Sequence, residues 1–552
     1  MLRYILSAIP LVSAAALYGQ LTPQQRLDDF RSIVGIYNKQ YAPYGFKLGL
    51  FGYDMLDVGS WTQRIETSRT DLEYYAILRE YLASLQDGHA GYNIPSTFVA
   101  SLPFTLDVYD DRPLIDSINR ARLPAAEFPF QIGDELVAVD GQTAEQWERR
   151  LAVYYGTGNA RATRRLAVGG ISNLRQAEVA WAPAVPDVAR IVIRRDGGSE
   201  ESYEIPRLKA GTPLVALGPL PNPRGSTPNR RASDADSDLL RQLGNATVTT
   251  DRAVLGIAAV TPVFRLPDGF TVRIGNRPTD LYFTGTYQAG GLRIGFLRIP
   301  RFGVPTNTNE EAELARFIGE IVFMQQATDG IIIDVMRNPG GEVGILEGIA
   351  QTLMPRPFRT LGFEIRATLQ WVNRFEEELQ RARAANAPQS VIDRWARYLD
   401  SVRTAFAENR GNTGPLPLGS DTLDRLPFTL PDGTQLAYTK PIMVLTDEFS
   451  ASGADMFPAV IRDNNRGILF GYRTRGAGGS VVTIPGGPYS EGTVHVTQTL
   501  MVRPDGRYIE NHGVEPDVVN DFMTRENLIT QGRPFVAAFT NVMVEHIRNS
   551  PQ

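Results

Sequence analysis

The sequence predicts a multidomain α/β protein, and three observations lead there. The apolar run Gly330-Ile-Ile-Ile-Asp-Val-Met336 reads as a buried strand; the turn Arg337-Asn-Pro-Gly-Gly341 ends it and a helical Val343–Leu353 follows. The same strand–turn–helix succession recurs at Ile442-Met-Val-Leu445, which runs through Ser450-Ala-Ser-Gly453 into helical spacing at Met456, Phe457, Val460 and Ile461. Finally, 552 residues exceed one ordinary core, so about two to four domains are expected.

Composition narrows the class. A 43% hydrophobic and 21% charged chain is that of a soluble globular protein. A net charge of −5 with no basic block gives no footing for nucleic acid. The chain has no cysteine, which excludes disulfides, thiolate catalysis and zinc–thiolate sites. Its four histidines (His89, His495, His512, His546) show no metal-ligand spacing, so neither metal nor cofactor is expected.

In chain order, residues 1–19 read as an export signal. Arg3 is the positive start, Tyr4–Ala16 the apolar stretch and Ala14-Ala-Ala16 the small-residue cleavage site. The stretch is short for a membrane span, so membrane association is expected only if the signal stays uncleaved. An extracytoplasmic location, periplasmic or secreted, in a bacterium follows. Residues 20–98 are expected to be mainly helical: Leu27, Phe30, Ile33, Val34 and Tyr37 recur at helical spacing, as do Leu72, Tyr75, Leu78, Tyr81 and Leu85. Gly88 ends the second run and His89 stands just beyond it, as a helix-dipole partner or a candidate base.

Short strands are expected over 103–210. Phe130–Gln142 reads as a strand between two turns, Thr143–Leu151 as a helix, and Ala189–Gly197 with Glu201–Ile205 as a closing hairpin. Residues 211–290 read as a linker, rich in Pro, Gly, Ser and Asn over Leu214–Gly244, followed by accessory strands. The large α/β core spans 291–525. It is interrupted at about 366–425 by charged helical sequence, read as a helical hairpin with a solvated face or as a lid. A C-terminal helix occupies 526–552.

The stretch Ile442–Pro458 organises the rest. A strand that turns sharply into a helix, with a serine in the bend, lifts a hydroxyl above the sheet edge beside unpaired helix N–H groups. Such a serine is either a helix N-cap or a nucleophile whose neighbouring amides stabilise an oxyanion. Gly340 and Gly341, at another strand end, either permit a tight turn or bring backbone N–H groups against a ligand.

Taken in order, these pieces resemble the tricorn-like and C-terminal processing serine peptidases. The His motif Leu85–Tyr92 comes first, then Gly133-Asp-Glu-Leu136 to Val139-Asp-Gly141, which resembles a PDZ domain. Asp334-x-x-x-Asn338-x-Gly-Gly341, the serine turn Ser450–Pro458 and Glu510–Asp517 with its Gly-Val-x-Pro-Asp follow. The resemblance covers about residues 25–525 and implies a crotonase/ClpP-like α/β catalytic core, with a PDZ-like β-domain that takes an extended peptide by strand addition. About 30 residues around Asn159–Val185 exceed the usual PDZ length.

Two branches of that family use different bases. One carries a lysine within a Gly-x-Gly turn downstream of the serine; here that turn is Gly476-Ala477-Gly478. The tricorn-type branch uses a histidine from the N-terminal segment and a glutamate from the C-terminal motif, which are His89 and Glu510, although Gly88 replaces a serine of the tricorn pattern. The resemblance thus implies Ser452 as nucleophile rather than Ser450, His89 as general base and Glu510 as its orienting acid. Gly453 with Gly340 or Gly341 would form the oxyanion hole, and His512 is the runner-up base. Peptide or protein substrates are the expected partners, with a homo-oligomer admitted. Two rivals belong to other classes: a crotonase-like thioester enzyme, and an inactive relative that binds peptides or ligands.

Overall fold

The computed structural model describes residues 21–216, 245–247, 255–304, 310–430 and 432–550. The export signal and most of the Pro/Gly-rich stretch Leu214–Gly244 lie outside the described residues. Among the described residues, no helix is long and apolar enough to cross a membrane.

The centre is a seven-stranded sheet. Its strands run in the order Thr271–Ile274, Phe283–Ala289, Leu292–Arg298, Gly330–Asp334, Ile442–Thr446, Ile468–Gly471 and Val518–Val519. The first three form an antiparallel meander and the rest pair in parallel. The two apolar runs lie side by side, with Ile331 opposite Ile442 and Ile333 opposite Val444. Every residue of both strands is buried, as continuous apolar runs require. Alternation sends Ile331, Ile333, Ile442 and Val444 into the core on one face, and Ile332, Met443 and Leu445 into the core on the other. Helices Val343–Leu353 and Gly453–Asp463 cover the first face, and Arg533–Asn549 packs on the second through Phe535, Phe539 and Met543.

The N-terminal helices Pro23–Gln40, Tyr44–Phe51, Gly59–Thr67 and Asp71–Ala83 build a separate aromatic-rich core. Thr22 and Thr70 cap the first and last by accepting the N–H of Gln25 and Glu73. This segment is sewn to the main body by Gly91–Asn93, which pairs antiparallel with Thr493–Thr497 and sets Gly91 opposite His495.

Residues 104–206 form a second sheet, in the order Phe104–Tyr109, Arg112–Ile118, Glu135–Val139, Val188–Arg194, Glu200–Pro206, with Gln142–Thr143 paired to the third strand. Phe130–Gln142 is therefore shorter as a strand than its apolar spacing suggests, because Gln131–Asp134 makes a turn closed by Asp134 on the Gln131 N–H. The extra residues supply the helix Ala160–Ser172, which packs on Phe104–Tyr109. Between Leu255 and Ile274 only Thr271–Ile274 is a strand among the described residues. The charged insertion is the expected hairpin, Leu369–Ala384 with Gln389–Ala407. Its apolar face, with Trp371, Phe375, Trp395 and Tyr398, is built into the main core.

Candidate active site

After Ile442–Thr446 the chain folds over Asp447, whose Oδ1 accepts the N–H groups of Arg337, Phe449 and Ser450. The Ser450 hydroxyl donates to the Val335 carbonyl at 2.8 Å and is thereby spent on holding two strand ends together. Ser452 is different. Its backbone sits at φ 59°, ψ −111°, a conformation costing about 1–3 kcal/mol for a residue with a Cβ. Asp455 maintains it: Oδ2 accepts the Ser452 N–H at 2.7 Å and the Ala477 N–H at 3.0 Å, and Oδ1 accepts the Gly476 N–H at 2.8 Å and the Thr474 hydroxyl. Burial pushes the Asp455 carboxyl above the usual range, and these four donors oppose that shift. One fully buried carboxylate thus clamps the serine turn onto the Gly476–Gly478 turn.

His89 reaches this turn from 363 positions away. Its Nε2 lies 2.8 Å from the Ser452 Oγ, and both residues are buried. The preceding Asp87 fixes the loop: Oδ1 accepts the His89 N–H at 2.7 Å and Oδ2 accepts the Thr497 hydroxyl at 2.8 Å. Burial pushes the His89 imidazole down to about 4, with Asp87 opposing, so the ring is neutral at ordinary pH and offers a lone pair. A Cβ at Gly88 would come 3.0 Å from the Ala477 Cβ and 3.5 Å from the Arg475 Cδ. Gly88 and Ala477 are therefore matched: the volume that a lysine side chain at 477 would need is filled by the segment carrying His89.

Glu510 is fully buried behind the histidine turn. It accepts the Gly478 N–H at 2.9 Å and pairs with Lys47, whose ammonium also reaches Asn511 Oδ1. Burial and then the neighbouring Asp87 push its carboxyl up to about 8, while Lys47 and Gly478 pull it down. Glu510 makes no direct hydrogen bond to His89, whose Nδ1 is buried without a protein partner. Tyr41, likewise buried, has its hydroxyl beside the carboxyls of Asp87 and Glu510. His512 is not in this line; its Nδ1 lies 3.1 Å from the Glu510 carbonyl and its ring against Phe46.

Of the two glycines in the Asn-x-Gly-Gly turn, Gly340 has its N–H taken by the Asn338 side chain at 2.7 Å, which removes it as an oxyanion donor. Asn338 is held in turn by the Ile299 carbonyl. The Gly340 carbonyl and the Glu342 N–H both bond Phe302, so alternation turns Gly341 to the opposite edge, where Ala246 is its strand partner. The Cβ position at Gly453 lies 3.1 Å from the Gly341 N. The Gly340–Glu342 edge is occupied by the chain itself, since Asn245–Thr247 pairs with it antiparallel. A substrate strand laid on that edge would take the place of this segment.

Asp87, Lys47 and the clamp role of Asp455 are absent from the sequence reading. Lys47 had a faint signal, as the single charge in the otherwise apolar helix Tyr44-Gly-Phe-Lys-Leu-Gly-Leu-Phe51. The second sheet is fastened to the loop before the serine: Arg165 pairs with Asp107 at 2.6 Å and with Glu448 at 3.0 Å, all three fully buried, and Arg161 adds Glu448 and Asp521. Among the described residues, no group of three or more His, Asp or Glu is placed to hold a metal.

Comparisons with known proteins bear on the family. Residues 293–520 match the model of Peptidase family S41. A Chlamydia pneumoniae protein is 25% identical, the match covering 96% of this chain and 92% of that one, and a Chlamydia muridarum protein is 26% identical over 95% and 94%. A Staphylococcus aureus protein named "Probable CtpA-like serine protease" is 31% identical over 139 residues, 25% of this chain and 26% of its own. The solved structure of mature CPAF superposes with a TM-score of 0.76 at 23% identity, covering 96% of this chain and 99% of that one.

Proposed function

We infer that this serine-type peptidase, whose residues 293–520 belong to Peptidase family S41, acts outside the cytoplasm on peptide bonds through Ser452, His89 and Glu510. The observation that carries the reading is the 2.8 Å contact between His89 Nε2 and the Ser452 hydroxyl, made by a neutral, buried imidazole.

His89 takes the Ser452 proton as the hydroxyl attacks the scissile carbonyl, then returns a proton to the leaving amine. The N–H groups of Gly453 and Gly341 receive the developing oxyanion, and losing one such donor costs about 3 kcal/mol in the barrier. Glu510 stabilises the cationic form of the histidine, directly or through a bridging water. The sheet of residues 103–210 acts as the PDZ-like part that presents an extended peptide. The N-terminal signal supports an extracytoplasmic site of action.

The test is peptide hydrolysis by the purified chain. Wild type is expected to cleave, Ser450→Ala to retain cleavage and Ser452→Ala to lose it. An inert wild type that still binds peptides would make the chain a binding protein. Cleavage that survives Ser452→Ala and vanishes in Ser450→Ala would move the nucleophile by two residues.

A further inference from the structure

We propose that Lys47 is a positioning residue of the catalytic set: its ammonium favours the charged form of Glu510 and fixes the turn that carries His89. The proposal rests on the Ser452–His89–Glu510 reading and adds to it a residue from the N-terminal helices.

Lys47 lies on Tyr44–Phe51 and is 4% exposed, a rare position for an ammonium. All three of its N–H donors have acceptors: Glu510 Oε1, Asn511 Oδ1 at 2.5 Å and the Gln86 carbonyl at 2.6 Å. An ammonium saturated in this way has no lone pair to offer, so Lys47 is not a base substituting for the lysine absent at 477. Two of its partners frame the site. Gln86 sits in the left-handed region (φ 51°) three residues before His89, and Asn511, at φ 59°, follows Glu510 and also donates to the Gln86 carbonyl at 2.8 Å. One cation therefore ties the histidine turn to the glutamate turn, across more than 400 positions of sequence.

Its electrostatic part follows from what surrounds it. Glu510 faces Lys47 from one helix, Asp87 from the histidine turn, Tyr41 from the end of Pro23–Gln40 and the Gly478 N–H from the serine side. His89 faces Asp87, with Arg475 and Lys47 acting in the opposite sense and His495 beyond. Among these, Lys47 is the cation hydrogen-bonded to Glu510. Remove it, and a carboxyl already pushed up by burial beside Asp87 keeps its proton to still higher pH. Through a bridging water, a carboxylate that only accepts favours the Nδ1–H form of His89 with its Nε2 lone pair on Ser452. A protonated carboxyl donates, which favours the opposite tautomer and leaves no base at the serine.

The experiment compares Lys47→Met and Lys47→Gln with wild type, each also in a Glu510→Gln background. In the single variants kcat is expected to fall by about tenfold or more with KM within about twofold, and the rising limb of kcat/KM to move to higher pH. In Glu510→Gln the same substitutions are expected to cost less than about threefold, since a residue that works through another is non-additive with it. Equal losses in both backgrounds with an unmoved pH limb would overturn the proposal, as would Lys47 variants that match wild type. A second readout needs no turnover: infrared titration of the carboxylic-acid carbonyl band that Glu510→Gln removes. The band is expected to persist to higher pH in either Lys47 variant; identical titration in wild type and variants would refute the hold on Glu510. Because the band is read in the resting protein, an inert wild type would sink the peptidase reading while the infrared comparison still decides the role of Lys47.

Discussion

Asp455 is the residue whose removal the structure prices most directly. Its two oxygens receive three backbone N–H groups, those of Ser452, Gly476 and Ala477, in a fully buried site. Asp455→Ala strands all three, at about 1–3 kcal/mol each, or roughly 3–9 kcal/mol in total. The Thr474 hydroxyl also accepts the Val514 N–H and can rotate, so it adds little. Relief from burying a carboxylate offsets part of the cost and puts the net near the lower end, about 3 kcal/mol. Asp455→Asn keeps one oxygen for the Ser452 and Ala477 N–H groups and turns its amide toward Gly476, so it should cost about a third as much, on the order of 1 kcal/mol. Urea unfolding in a Ser452→Ala background, which prevents self-digestion, gives the comparison. Hydrogen exchange at the Ser452, Gly476 and Ala477 amides reports the turn itself. An Asp455→Ala protein within about 1 kcal/mol of its parent, or an Asn variant less stable than the Ala variant, would refute the clamp.

Other perturbations probe other parts. His495, held between Asn93 and Thr483, is pushed down by burial to about 4 from an unfolded value of 6.5. Its stabilising contribution is complete above about pH 6.5 and lost as pH falls toward 4, up to about 3 kcal/mol; His495→Gln should flatten the fall in Tm across that window. Glu510 has the opposite sign: its raised folded value weakens the fold as pH rises from about 4.5 to 8, so the Tm of Glu510→Gln relative to wild type should be higher at pH 8 than at pH 5. Ala477→Lys puts an ammonium and four methylenes against Gly88; overpacking of about 1–3 kcal/mol and loss of peptide cleavage are expected, read by Tm and turnover. Arg165→Met leaves Asp107 and Glu448 buried without their shared cation and should cost about 3–5 kcal/mol in urea unfolding, with loosened exchange protection in the Asp447–Ser452 loop.

What the sequence made legible follows from how locally each feature is encoded. The strands Gly330–Asp334 and Ile442–Thr446 carry continuous apolar runs bounded by turn residues, the pattern of a strand buried on both faces. The serine turn was visible because strand, small residues and helix succeed one another within about a dozen positions. The preference for Ser452 over Ser450 came from the family resemblance, and the Ser450 hydroxyl is taken by the Val335 carbonyl. Long-range polar partnerships were not legible. Nothing near Lys47 in sequence announces an acid 463 positions away, and only a lone charge in an apolar helix marks the place. Gly340 and Gly341 are equivalent in sequence, yet the Asn338 side chain takes the Gly340 N–H while Gly341 pairs with Ala246. The strand expected over Phe130–Gln142 was overdrawn because apolar alternation continues through a turn that Asp134 closes with its own side chain.

The central claim is that Ser452, activated by His89, is the group that attacks. Its most direct test is mass mapping of a fluorophosphonate adduct on the full chain. The account predicts one modified residue, Ser452, with labelling that falls by orders of magnitude in His89→Ala although Ser452 remains. Modification at another serine, or labelling of Ser452 that is indifferent to the loss of His89, would contradict it.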